Sequence, residues 1–169
     1  LNDNTRNYLY DQGQRKGDYI ENTINKLGDV FTKNEIRNSH LLISDSTIEK
    51  MKKSGMSTIS ISVDGLNKSH DELRQVSGSY STIIKNIQAL KEANFLSYLQ
   101  ITTVISKMNI HELEEMYQEF QKLSIDSWRL LSIEPIGRVY DNQSLLLDAS
   151  DYHLLFSFIK EKRKKSKFD

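Results

Sequence analysis

Ser62, Asp64 and Arg74 are the residues of this chain whose types and spacing could do chemistry. They lie in the run Ile59-Ser60-Ile61-Ser62-Val63-Asp64-Gly65 and in His70-Asp71-Glu72-Leu73-Arg74, which follows it. Strict alternation puts Ile59, Ile61 and Val63 on one face of a strand and Ser60, Ser62 and Asp64 on the other, and Gly65 lets the chain turn out of the sheet. A face of hydroxyls and a carboxylate at the carboxyl end of a strand is where α/β sheets place a ligand. Arg74, nine residues past the turn, is near enough to return a planar fork of donors to the same mouth, where it suits a carboxylate. Cysteine is absent from all 169 residues, which excludes disulfides and thiolate metal ligation within this chain.

The elements that must position these residues alternate along the chain. Ser46-Thr47-Ile48-Glu49 reads as a capping box opening a helix that turns Ile48 and Met51 inward and stops at Gly55. A strand follows over Thr58 to Val63. Ser79 caps a second helix with Ile83, Ile84, Ile87 and Leu90 at helical spacing, leading to a strand at Tyr98 to Ile105. Asn109 with Glu112 opens a third helix bearing Leu113, Met116, Phe120 and Leu123, and a strand over Trp128 to Ile133 ends at Pro135 and Gly137. The last helix starts at Asp148 to Ser150 and carries Tyr152, Leu155, Phe156 and Ile159. This alternation predicts right-handed βαβ crossovers and a parallel sheet. Because one strand face is polar and the other apolar, helices are expected on one side only, the other side facing a lumen. The expected fold is therefore an incomplete (β/α) barrel, not a doubly wound sheet.

The whole of 1–169 reads as a single domain, with well-matched βα units over 41–165 and a degenerate front part over 1–40. In that front part, Asp18 to Leu27 resembles a helix, while Val30 to Arg37 and Tyr8 to Tyr10 read as poor strands. Twenty-three basic and twenty-three acidic residues give a formal net charge of zero, which argues against nucleic acid or an anionic membrane as the main partner. No apolar run approaches the roughly twenty residues of a membrane span, and no signal peptide is visible, so the expected compartment is the cytoplasm. Leu1 stands where a start methionine would, which leads to the expectation that the stretch begins inside a longer protein.

Four pieces in this order and spacing resemble the later half of a radical S-adenosylmethionine core domain of the sulfatase-maturase and peptide-maturase kind. They are Ile59 to Gly65; His70-Asp71-Glu72-Leu73-Arg74 with Gly78-Ser79-Tyr80; Ile101-Thr102-Thr103-Val104 with Asn109; and Glu134-Pro135-Ile136-Gly137-Arg138. The resemblance implies a partial TIM-like barrel and an iron–sulfur oxidoreductase using S-adenosylmethionine and a 4Fe-4S cluster. Three cysteines of a short loop hold that cluster in the family, and clusters of this kind need thiolates. This chain has none, so neither the cluster nor S-adenosylmethionine is expected to bind well to it alone. The amine-contacting Gly-Gly-Glu-Pro turn of the family has only Asp11-Gln12-Gly13-Gln14 as its counterpart, and the Thr-Asn-Gly strand end is replaced by Arg37-Asn38-Ser39. The resemblance further implies that Ser62 hydrogen-bonds the methionine carboxylate, that Arg74 pairs with it, that Leu131 to Ile133 pass near the adenine, and that Pro135 to Arg138 shape the rim.

Simpler roles stand beside these. Ser62 also reads as a short side chain where a barrel lumen crowds, Arg74 as a surface helix charge, and Asp64 as a cap of its own turn. His70 beside Asp71 reads as part of a solvated turn, and His40, His111 and His153 show no metal-ligand spacing. Trp128 and the tyrosines read as core or rim. The basic run Lys160 to Lys167 reads as a solvated helix end, with contact to an acidic peptide as the alternative.

Two functions follow. One is part of a radical S-adenosylmethionine maturase acting on a peptide or protein, this chain alone not being catalytic; a Cys-x-x-x-Cys-x-x-Cys loop upstream of Leu1 would favour it. The other is a catalytically silent peptide-binding or assembly module. The open strand edges, near Val30 to Arg37 or Tyr8 to Tyr10 and along Trp128 to Ile133, predict a homo-oligomer or a missing barrel half as partner, unless the chain's own segments fold over them.

Overall fold

A computed structural model of the chain describes residues 42–135 and 142–164. The features expected within residues 1–41, and Gly137 and Arg138 at the rim, lie outside them. The order is α1 (Asp45–Lys53), β1 (Thr58–Ser62), α2 (Asn67–Arg74), α3 (Ser79–Glu92), β2 (Tyr98–Ile105), a 3-10 turn (Ile110–Glu112), α4 (Leu113–Lys122), β3 (Ser127–Ser132), a second 3-10 turn (Gln143–Leu145) and α5 (Ala149–Lys162). The three strands form one parallel sheet in the order β1-β2-β3, as the alternation predicts.

Register and burial separate the two faces of that sheet. Ser60 stands beside Gln100 and Ser62 beside Thr102, while Ile101 stands beside Trp128 and Thr103 beside Leu130. The face carrying Leu99, Ile101, Thr103 and Ile105 is buried against Ile83, Ile87 and Leu90 of α3 and Met116 and Phe120 of α4. On the other face Ser60, Ser62, Arg129 and Leu131 are exposed. Gln100 Nε2 donates to Ser60 Oγ and to Thr102 Oγ1, each at 3.1 Å, giving that face a polar surface. Among the described residues helices therefore cover one side only, in keeping with a partial barrel. A polar thread crosses the apolar layer: Trp128 Nε1 donates to Thr103 Oγ1 at 2.8 Å, and that hydroxyl donates to the Val63 carbonyl at 2.6 Å.

Element ends depart from expectation where a better local partner exists. The first helix is capped by Ser44, whose Oγ accepts from Thr47 N–H at 3.2 Å, and not by Ser46, which lies in the first turn. Gly78, at φ +76°, occupies the cap of α3, and Ser79 instead donates its hydroxyl to Asp71 at 2.9 Å. The final helix begins as expected, with a reciprocal capping box between Asp148 and Asp151. Its inward stripe is rotated, however. Leu155 is buried and Phe158 packs edge-on to Trp128 and Tyr117, whereas Phe156 is 62% exposed and stacks on Tyr152.

Candidate functional site

At the carboxyl end of β1 the chain converges on Asp64, and every polar group of that residue is used. Its Oδ1 accepts from the Val104 N–H of β2 at 2.9 Å, and its Oδ2 pairs with Arg74 Nη2 at 2.5 Å. Its N–H donates to His70 Nδ1 at 3.0 Å and its carbonyl accepts from Asn109 Nδ2 at 2.9 Å. Asp64 thus ties β1 to β2 and α2 and does not cap its own turn. Gly65 must then leave the strand at φ +142°, and a Cβ there would collide with Ser69 Oγ and stand 3.1 Å from Glu112 Oε2. Only glycine fits such a position.

The loops around this point are pinned by buried or half-buried polar side chains. Asn109 bridges the carbonyls of Asp64 and Val104 and accepts from Ser106 N–H at 2.8 Å; it does not cap a helix, and the chain winds through the 3-10 turn before α4 begins. Glu112 accepts from Leu66 N–H and Ser69 Oγ at 2.9 and 2.6 Å, anchoring the loop after β1. Asp71 accepts from Tyr80 N–H, Gly78 N–H and Ser79 Oγ, which hold its carboxyl below the usual carboxylate range and join α2 to α3.

His70 is no part of a solvated turn: it lies in α2 and is fully buried. Because Nδ1 accepts a backbone N–H, the ring is the neutral Nε2–H tautomer. Burial lowers its pKa most, Arg74 adds to this, and Asp64 and Asp71 oppose it. Among the described residues its Nε2 has no hydrogen-bond partner. The ring meets Tyr80 edge-on at 6.0 Å, and burial, with Glu119 and Glu112, pushes the Tyr80 phenol up to about 12.

Ser62 and Arg74 therefore lie at the same end of the sheet. Ser62 is exposed on the polar face, in register with Thr102. Arg74 does return to the mouth, as its spacing predicts, but one of its nitrogens is committed to Asp64. Its side chain remains 42% exposed, and a guanidinium has five donors, so it keeps capacity for a second anion. Leu131 is exposed on the same face. The roles of His70, Asn109 and Glu112 escaped the sequence reading. The signal for Asn109 and Glu112 was their place just past a strand end, which that reading spent on a helix start.

A four-iron cluster does not fit these residues. The sequence has no cysteine, and among the described residues no group of three or more histidine, aspartate or glutamate side chains is placed to hold a metal ion. No helix of the described residues is long and apolar enough to cross a membrane.

Comparison with known families decides the kinship: the model of the radical SAM superfamily matches residues 6–120. The chain belongs to the radical SAM superfamily. Its relatives include an AdoMet-dependent heme synthase of Methanosarcina barkeri (strain Fusaro / DSM 804), 28% identical over 127 residues, which are 75% of this chain and 35% of that protein. A second, from Nitratidesulfovibrio vulgaris, is 27% identical over 124 residues, 73% of this chain and 33% of that protein. The sporulation killing factor maturation protein SkfB of Bacillus subtilis (strain 168) is 27% identical over 109 residues, 64% of this chain and 26% of that protein. The chain thus spans about a third of the length of the two heme synthases.

Proposed function

We propose that the chain supplies the carboxylate-binding side of a radical SAM core whose complete form modifies a peptide or protein, with Ser62 and Arg74 facing the methionine carboxylate of S-adenosylmethionine. The observation that carries this reading is the Asp64-anchored Arg74 at the same end of the sheet as the exposed Ser62 hydroxyl. Asp64 orients the guanidinium and partly offsets its charge. The remaining donors and the Ser62 hydroxyl suit a carboxylate, and hydrogen bonds of this charged kind are about twice as strong as neutral ones. S-adenosylmethionine bound to a cluster supplies radical chemistry in this family. The thiolates such a cluster requires are not among these 169 residues, so the chain by itself is proposed to be non-catalytic. Likeness to SkfB supports a peptide as the target class.

Calorimetry with S-adenosylmethionine tests the clamp. The isolated chain is expected to bind in the millimolar range or undetectably, because several polar partners worth about 1–3 kcal/mol each are missing. Any measurable binding should weaken in Arg74→Ala, and micromolar binding insensitive to Arg74 overturns the assignment. Anaerobic reconstitution with iron and sulfide should give neither a stoichiometric cluster nor 5′-deoxyadenosine. The genomic sequence upstream of Leu1 separates a maturase part from a silent module: a three-cysteine loop favours the former, a nearby start codon the latter.

A further inference from the structure

A groove of about 310 Å³ opens along the amino-terminal half of β3, away from the Ser62 end of the sheet. Trp128, Tyr117 and Phe158 give it an aromatic wall, and Arg129, Lys162 and Arg163 supply its charged liners. Among the described residues no carboxylate lines it. Lys162 is a fixed part of the wall: its ammonium sits over the Tyr117 ring at 4.9 Å and is paired with Glu114 at 2.6 Å and Glu161 at 3.5 Å. Arg129 and Arg163 are exposed, and among the described residues neither is paired with a carboxylate. Among the described residues only β2 flanks β3, and none of them pairs with its other side, the side on which a strand edge offers backbone donors and acceptors.

These features favour one occupant. A second copy pairing edge to edge about a twofold axis would bring Arg129 and Arg163 toward their own duplicates, which is repulsive. Nucleic acid rewards a net basic surface, and although Arg163 lies in the basic run Lys160 to Lys167, the chain as a whole carries zero net charge. A purely apolar ligand would leave both guanidinium groups unused. An extended segment answers every feature: its backbone pairs with β3, one apolar side chain rests on Trp128 and Phe158, and flanking carboxylates meet the arginines. We propose that the edge of β3 is a docking site for an extended acidic peptide segment. The proposal rests on the peptide-or-protein reading above for the source of that segment, and it is independent of the carboxylate clamp.

Trp128 is the only tryptophan of the chain, so its emission reports on the groove directly. The probe is a short blocked peptide alternating glutamate with valine, titrated into the whole chain without S-adenosylmethionine. A saturable change in emission is expected, weakening about tenfold or more when glutamine replaces glutamate. Arg129→Glu with Arg163→Glu should abolish that binding and favour a lysine–valine peptide instead. Both positions are exposed, so circular dichroism should show the wild-type fold; should the double variant not fold, Arg163→Glu alone and the loss of binding with added salt serve as the same test. Equal binding of the glutamate and glutamine peptides, or no saturable change with either, overturns the proposal. So does tighter binding of a single-stranded oligonucleotide, or an emission change that tracks protein concentration without peptide. None of these results bears on the S-adenosylmethionine titration, so the two readings fail separately.

Discussion

The Arg74 guanidinium and the Asp64 carboxylate meet across the turn that ends β1, Nη2 to Oδ2 at 2.5 Å, with the aspartate side chain nine-tenths buried and the arginine nearly half exposed. The two members are not equivalent. Solvent screens the pair from the arginine side, so its coupling in a double-mutant cycle should be about 1 kcal/mol or less. Asp64→Ala should cost more than Arg74→Ala, by about 1–3 kcal/mol, because it also strips the Val104 N–H of its acceptor. Urea unfolding of the two single variants and the double variant measures both quantities; equal costs would contradict the assigned geometry.

His70 predicts a specific acid sensitivity. Its folded pKa is depressed, so the unfolded chain takes up a proton that the folded chain resists. Stability from this group is complete above the unfolded histidine value of about 6.5 and declines as pH falls below it, with a slope of at most about 1.4 kcal/mol per unit. Asp64, Asp71, Arg74 and Tyr80 are the charged and titratable groups around the ring that set the shift or contact it. His70→Asn keeps an acceptor for the Asp64 N–H and removes the titration. Denaturant midpoints between pH 7 and 5 should fall for the wild type and stay level for the variant.

Three glycines with positive φ should respond unequally to alanine. At Gly55 and Gly78 nothing stands within 4 Å of an added Cβ, so each substitution should cost only backbone strain, about 1 kcal/mol. At Gly65 the same strain is joined by collision with Ser69 Oγ, and moving Ser69 breaks its bond to Glu112. Gly65→Ala should therefore cost roughly twice as much or more, read as a larger drop in thermal midpoint.

Asn109 should be the least replaceable polar residue of this end of the sheet. It is fully buried and serves three backbone groups at once. Asn109→Ala should cost about 2–4 kcal/mol, since Ser106 N–H and two carbonyls lose their partner. Asn109→Asp is expected to be worse, because an ionised carboxylate faces two carbonyl oxygens that require a donor. An aspartate variant as stable as wild type would contradict the donation from the Asn109 amide to the Asp64 and Val104 carbonyls.

What the sequence revealed and what it hid divide along the range of the interactions. Alternation in Ile59 to Val63 identified the faces of β1, and the periodicities around Ile83 and Met116 identified the helices that cover one of them, because these signals are repeated locally. The return of Arg74 was legible from its distance past Gly65. Its partner was not: Asp64 is held in place by Val104, forty positions away, and no local spacing announces that contact. His70 was misread for the same reason, since its burial comes from the packing of α2 under the strand end. Asn109 and Phe156 failed differently. Each obeyed a true helical rule that the structure uses elsewhere, Asn109 serving the loop and Phe156 losing the inward stripe to Phe158. The roles of Ser62 and Arg74 toward a ligand came from family likeness, not from spacing.

The thread from Trp128 through Thr103 to Val63 has a kinetic consequence. Its two hydrogen bonds draw on β3, on β2 and on the residue that follows β1, and neither βα unit can form both before the other has docked. Such contacts close late, so removing them should chiefly hasten unfolding and barely slow folding. In Thr103→Val the methyl group keeps the volume while the indole N–H and the Val63 carbonyl lose their shared partner. The sheet would still assemble, but it would come apart sooner, as a clasp that has lost its pin.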